Sequence, residues 1–377
     1  MPSPPSRLER AVTRTFGDAG PTTFGSGWMS GTVAVFLGAS ALVATLAFRY
    51  PALFTTAEFR DRYPVGLLRA LLEVMLGVTF LLGATSLMLR PRKVLGLTAV
   101  ALVFTALALG GAQVDAHASP AVPVTIGLDW FVLNVLLTAT VFVPVERVFP
   151  LHAGQGTFRF GWVTDGVHFL ISHLAVQVLS FLTLLPATSL AALWQPVGLQ
   201  QAVAALPLVV QTAAIVVVAD LTQYWVHRLF HAVPALWRVH AVHHSSEAMD
   251  WLAGSRLHVI DVLATRGLVL VPVFLLGFAR PALYTYLVLV SFHAVFIHAN
   301  VRWRFGWLDH VITTPRGHHW HHAVRPIDRN FAVHLPILDR LFGTQHLPGD
   351  AWPERYGVDT PAVPEGWWAQ LTFPFRR

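Results

Sequence analysis

Three histidine clusters dominate the chemistry open to this sequence. They are His227-Arg-Leu-Phe-His231, His240-Ala-Val-His243-His244 and His318-His319-Trp320-His321-His322. The last two share an H-x-x-H-H pattern. Histidines at i and i+4 lie on one helix face with Cβ atoms roughly 5–6 Å apart, so two imidazoles can share one ion. The ring at i+3 is then free to turn towards a second ion. Imidazole suits zinc, copper, iron and nickel alike, so ligand type leaves the metal open. Ligand number says more. A catalytic zinc keeps about three protein ligands, whereas eight or more clustered histidines fit two ions with four or five nitrogens each. No His-Glu-x-x-His of a zinc peptidase is present. The Glu and Glu-x-x-His set of soluble di-iron bundles is also missing. The competing reading is of solvated histidines, or of a surface that meets lipid headgroups.

The elements that must carry these clusters belong in a bilayer. The chain is 54% hydrophobic and 12% charged over 377 residues, against about 25% charged in a soluble domain. A span needs roughly 17–25 residues. Eight apolar stretches meet or approach this, near 28–48, 65–89, 94–112, 126–146, 163–186, 203–226, 262–279 and 281–299. The last two are short and closely joined, which leaves open a helical hairpin that does not fully cross. Pro234 separates the first two clusters and predicts a turn between two helices. The expected fold is all-α: about eight membrane helices beneath a cap of shorter helices that holds the metals.

Arginine placement orients these spans. The net charge is +6, and Lys93 is the only lysine. With the N-terminus inside, 20 of the 26 basic residues fall on inner segments and four (Arg49, Arg60, Arg62 and Arg280) on outer loops. The positive-inside bias therefore puts every cluster on the cytoplasmic face. It also explains the basic charge without nucleic acid. Residues 1–26 show no apolar core of a cleavable signal, so the first span is expected to direct insertion. The absence of cysteine excludes disulfides, Cys-ligated zinc and cysteine-bound iron–sulfur clusters.

The motifs around the clusters resemble the fatty acid hydroxylase / sterol desaturase superfamily of membrane di-iron enzymes. The matching text begins with Asp220-x3-Tyr-Trp-x-His-Arg-x2-His and Leu236-Trp-Arg-x-His-x-Val-His-His-Ser-Ser. It continues with His298-Ala-Asn-Val, Thr314-Pro-Arg-x-His-x2-His-His, Asp328-x-Asn-Phe and Leu338-Asp-Arg-Leu-Phe-Gly-Thr. The resemblance covers roughly 145–347. It implies three parts: an uncovered membrane module of unknown role at 1–145, a catalytic domain at 146–347 and a cytoplasmic tail at 348–377.

The resemblance also implies iron ligands, namely His227, His231, His240, His243, His244, His298, His318, His321 and His322. His258 is a tenth candidate, although Val259 stands where relatives often carry proline. Asp220 lies seven residues before His227 on the same helix face, and is expected to accept a hydrogen bond from an iron-bound imidazole. Asp261, Asp328, Asn330 and Asp339 are weaker candidates for such support. His319 is read as a neighbour of the ligands or a surface residue. His293, His310, His334 and His346 are read as structural. His168 and His173 are read as buried polar or lumen-lining residues.

The implied activity is O₂-dependent hydroxylation or desaturation of a lipid-like substrate entering from the bilayer, at two iron ions. The sequence has no haem-binding His-Pro-Gly-Gly and no G-x-G-x-x-G loop. An external electron donor such as a ferredoxin is therefore expected. Arginine-rich usage suits a bacterial inner membrane. A zinc-dependent membrane hydrolase and a non-catalytic metal-binding membrane protein are the alternatives.

Overall fold

The computed structural model describes Arg10 and residues 25–55, 64–115, 127–156 and 158–376. Arg7, Arg14, Arg60, Arg62 and most of the loop expected at 113–125 lie outside the described residues. Among those described there is no β-strand, only helices and two isolated bridges. Seven helices are long and apolar enough to cross a membrane, or eight if one bent pair counts as a span.

The chain divides into two compact units. One comprises residues 5–137 together with 173–178. Its helices are α1 (Trp28–Arg49), α2 (Val65–Leu89) and α3 (Val94–Ala108), followed by the first half of α4 (Leu128–Val148). Ala41, Leu72, Leu76, Val103 and Ala106 form its core. Glycines let these backbones approach, as small residues do between membrane helices. A Cβ at Gly83 would meet Ala99 at 3.1 Å.

The second unit comprises 138–172 and 179–377, and holds every histidine of the three clusters. Most of α5 (Trp162–Leu174) and of α6 (Val176–Leu193), the bent pair, belongs to it. Three long helices follow: α7 (Leu208–Ala232), α9 (Val259–Leu276) and α10 (Arg280–His298). The short α8 (Pro234–His244) lies between α7 and α9. Proline starts α8 and stands near the start of α10, where its missing N–H costs nothing. Ile215, Ala219, Val269, Val273, Ala282 and Tyr286 lock α7, α9 and α10 together. Val217, Leu221 and Trp225 on α7, and Val288 and Phe292 on α10, face outward. In water such exposure would be unfavourable; in lipid it costs nothing. α9 and α10 have 18 and 19 residues, and each is long and apolar enough to cross a membrane.

Beyond α10 the chain forms short pieces: α11 (Pro315–His321), α12 (Ile337–Leu341) and α13 (Trp367–Thr372). The ends of α7 and α10, the start of α9 and these pieces share one side of the unit.

Candidate metal centre

The stripe that α7 buries runs through Asp220, Tyr224 and His227 at helical spacing, with His231 one turn further on. Pro234 turns the chain so that α8 folds back on the end of α7. His240 then lies against His227, with ring centroids 4.8 Å apart. α10 delivers His298 at its last residue, and α11 brings the third cluster from the far side.

These elements gather nine histidines into two groups. In each, the candidate ligand nitrogens lie within 4.8 Å of one another. One group holds His227, His231, His240, His244 and His321, and the other His243, His298, His318 and His322. Each H-x-x-H-H motif is shared. On α8 the i and i+4 rings join the five-histidine group and the i+3 ring joins the other. On α11 the assignment is reversed. The groups abut, with His244 stacked on His322 at 4.5 Å between centroids. Neither group includes a carboxylate or, in this cysteine-free chain, a thiol.

Hydrogen bonds fix which nitrogen faces inward. A carbonyl or carboxylate oxygen can only accept, so each such contact places a proton on Nδ1 and a lone pair on Nε2. In the five-histidine group, His227 donates to the Phe331 carbonyl (2.8 Å) and His321 to that of Arg329 (2.7 Å). His231 donates to Asp328 (3.0 Å) and His240 to Asp261 (2.6 Å). In the four-histidine group, His243 donates to Arg256 (3.1 Å) and His298 to Ala294 (2.7 Å), both backbone carbonyls.

The inward atoms then need a cation. The Nε2 atoms of His227 and His240 are 3.0 Å apart, and each ring has its one proton on the other nitrogen. Two facing lone pairs at that distance repel unless a positive charge lies between them. Nitrogens about 2.1 Å from one ion at right angles would be separated by about 3.0 Å. Contacts of 3.2 Å (His244–His240), 3.0 Å (His318–His298) and 3.1 Å (His322–His318) repeat this spacing. The Nε2 atoms of His231 and His321 are buried without a partner. Burial, then the neighbouring imidazoles, pushes His240, His243, His244, His318 and His322 well below the usual histidine range. They are neutral at pH 7, as ligation requires. The residues present fit a pair of metal ions.

Two expected participants sit elsewhere. His258 joins neither group: it caps α9, its Nδ1 accepting from the Ile260 N–H at 3.2 Å. Its Nε2 donates to the Leu371 carbonyl at 3.0 Å, so both ring nitrogens are engaged. Asp220 accepts from no imidazole. Its carboxylate takes the backbone N–H groups of Val333, His334 and Leu335 at 2.7–3.1 Å. A carboxylate buried there needs partners, and the irregular segment after α11 supplies them. The carboxylates that do meet ligand rings are Asp261 and Asp328. Asp339 caps the same segment through Phe331 N and Ala332 N.

Of the other described histidines, His319 neighbours a ligand through the His298 backbone carbonyl (3.4 Å), and three more pair outside the groups. His319 is fully buried against the Tyr356 hydroxyl (3.0 Å). His293 and His334 bond each other at 2.8 Å. His168 bonds Gln370 (2.9 Å).

Sequence reading missed the buried ion network behind the four-histidine group. Arg159 bridges Asp165 (2.6 Å) and Asp250 (2.7 Å). Arg256 bridges Asp165 (2.5 Å) and Glu365 (2.9 Å). The paired carboxylates hold both guanidinium pKa values above their ordinary range against the opposing effect of burial. Asp250 also accepts from the N–H groups of Leu252 and Ala253. Glu146 accepts from those of Trp251 and Asn300. The only sequence signal was an acid, Asp165, within an apolar stretch; Arg159 lies six residues before it, but Arg256 and Asp250, which complete the network, are distant in the chain.

The part of the chain that carries these groups is similar to known proteins. The fatty acid hydroxylase family model matches residues 212–344, which contain all nine histidines. An ornithine lipid hydroxylase from Rhizobium tropici is 31% identical over 255 residues, covering 66% of this chain and 77% of that protein. Human alkylglycerol monooxygenase is 34% identical over 128 residues, covering 33% of this chain and 28% of the human protein. The Danio rerio alkylglycerol monooxygenase matches with the same coverage. No solved structure matches. The chain is an all-α membrane protein and belongs to the fatty acid hydroxylase / sterol desaturase superfamily.

Proposed function

We propose that this protein is an O₂-dependent di-iron hydroxylase that oxidises a C–H bond of a membrane lipid. The observation that carries this is the set of nine inward-facing imidazoles in two abutting groups. Iron bound there would supply the redox chemistry that activates O₂, which no side chain can do alone. His227, His231, His240, His244 and His321 would hold one ion, and His243, His298, His318 and His322 the other. An all-imidazole donor set admits iron. It offers no carboxylate base among the described residues of either group, which speaks against the hydrolase alternative.

The chain's own residues orient and enclose. Asp261, Asp328 and the carbonyls of Phe331, Arg329, Arg256 and Ala294 hold six rings in one tautomer. Trp237 packs on His231 (4.8 Å) and His244 (5.4 Å), and Phe331 on His231 (5.0 Å), so apolar rings exclude water from the five-histidine group. α7 and α10 present apolar side chains to lipid and carry ligands at their ends. A substrate lying along them reaches the site without leaving the bilayer.

Hydroxylation is favoured over desaturation because the relatives are named a hydroxylase and a monooxygenase. Both are named for lipids, which favours a lipid substrate here. We place the protein in a bacterial inner membrane with the site on the cytoplasmic face, from the arginine distribution. A ferredoxin-like donor is proposed as the electron source. The test is incubation of iron-loaded protein in lipid nanodiscs with isotopically labelled O₂ and a chemical reductant. One labelled oxygen in a lipid product supports the reading. Consumption of reductant with no labelled lipid, across amino-acid lipids and glycerolipids, refutes it.

A further inference from the structure

Three of the ring contacts described above come from one stretch of four residues. Asp328 Oδ1 accepts from His231, the Arg329 carbonyl from His321 and the Phe331 carbonyl from His227. These three histidines all belong to the five-histidine group, and they come from two different helices. The four-histidine group takes nothing from this stretch: its resolved acceptors are the carbonyls of Arg256 and Ala294.

Aiming a side-chain oxygen and two nearby carbonyls at one centre requires an unusual backbone. Asp328 and Asn330 both adopt left-handed conformations, with φ of 63° and 53°, and they are the non-glycine residues that do so among those described. Asn and Asp tolerate this region better than other L-residues, which gives Asp-Arg-Asn-Phe a physical reason. Asn330 then fastens the stretch. Its Nδ2 donates to the carbonyls of Gly317 (2.9 Å) and His346 (2.7 Å), and its Oδ1 accepts from His346 N (2.7 Å). Gly317 lies in α11, next to His318. Asp339 holds the backbone N–H groups of Phe331 and Ala332, and Asp220 those of Val333 and Leu335.

We propose that Asp328–Phe331 is a positioning segment that governs loading of the five-histidine position alone, with Asp328 and Asn330 as its determining residues. The proposal rests on the two-metal reading above. It predicts that the two ions can be uncoupled by mutation at residues that are not ligands.

The experiment titrates metal-free, full-length protein in detergent with Co²⁺, following the visible bands of the bound ion and the metal bound per chain. Asp328→Gly removes the acceptor, keeps the left-handed backbone and alters a side chain that is 56% exposed, so folding is little at risk. Asn330→Gly keeps the left-handed backbone and deletes the fastening bonds. Loss of an outer hydrogen-bond partner weakens metal binding about 10–100-fold. The expected result is that loss for one of two cobalt ions in both variants, with the other bound as in wild type. Asp328→Asn, whose amide oxygen still accepts from His231, should restore most of it. Equal weakening of both ions, no weakening, or an Asp328→Asn as defective as Asp328→Gly overturns the proposal. A wild-type protein that binds fewer than two cobalt ions instead overturns the two-metal reading, which is a distinguishable failure.

Discussion

Gly254 provides a test of the four-histidine position by geometry alone. A Cβ built there would lie 2.8 Å from His298 Nδ1 and 3.0 Å from its Cγ and Cε1. Ordinary contact begins near 3.4 Å, so Gly254→Ala is about 0.6 Å too close. Neither side yields easily. The ring is pinned by its bond to the Ala294 carbonyl (2.7 Å). The loop is pinned by Asp250, which the Arg159 guanidinium grips at 2.7 Å through both oxygens. A metal site tolerates ligand errors of about 0.2 Å. Moving His298 by several tenths of an ångström therefore turns four ligands into three. Gly254→Ala should weaken one metal at least 10-fold, the scale set by lesser disturbances of ligand orientation. It should also cost about 1–3 kcal/mol of stability from overpacking. Cobalt titration with a thermal unfolding curve reads both effects. Two ions bound with wild-type affinity and unchanged spectra would refute the reasoning, because the clash would then have been absorbed without moving the ring.

Further outcomes follow from the same contacts. Asp261→Ala should weaken the five-histidine ion about 10–100-fold, whereas Asp261→Asn, still able to accept from His240, should lose much less; metal titration compares them. Asp165→Asn removes charge from between two buried guanidinium groups. Breaking a buried pair on one side costs about 3–5 kcal/mol, which thermal unfolding in detergent will show. His334, outside the metal groups, gives a pH prediction, since burial lowers its pKa from 6.5 to about 4. Between these values the unfolded chain binds a proton that the folded protein does not, so stability falls as pH drops from 6.5 to about 4. The loss is on the order of 3 kcal/mol. The metal-free His334→Gln variant should lack that share of the acid sensitivity when unfolding is compared at pH 7 and pH 4.

The spans and the clusters were legible in the sequence because each is a local pattern. Apolar runs announce membrane helices, and the 3- and 4-residue spacing of His240, His243 and His244 announces rings divided between two groups. What surrounds the ligands was much less legible. Asp220 has helical spacing to His227, yet its carboxylate serves backbone N–H groups more than 100 residues away. Spacing along one helix cannot say what packs across from it. Asp261 and Asp328 could be listed as acids near the motifs, but their partners depend on how α9 and the segment after α11 fold back. His258 sits beside Arg256 in a ligand-like context, and only the position of Leu371 reveals that its ring is already engaged. Nothing in the tail expected at 348–377 announces that its Glu365 bonds Arg256 and its Gln370 bonds His168. Such contacts depend on three-dimensional proximity, which no local pattern encodes.

The most direct measurement is anomalous diffraction at the iron absorption edge from crystals of the protein purified with its native metal. The account predicts two iron peaks, one among His227, His231, His240, His244 and His321 and the other among His243, His298, His318 and His322. A single peak, a signal at the zinc edge alone, or a metal placed away from these histidines would contradict it.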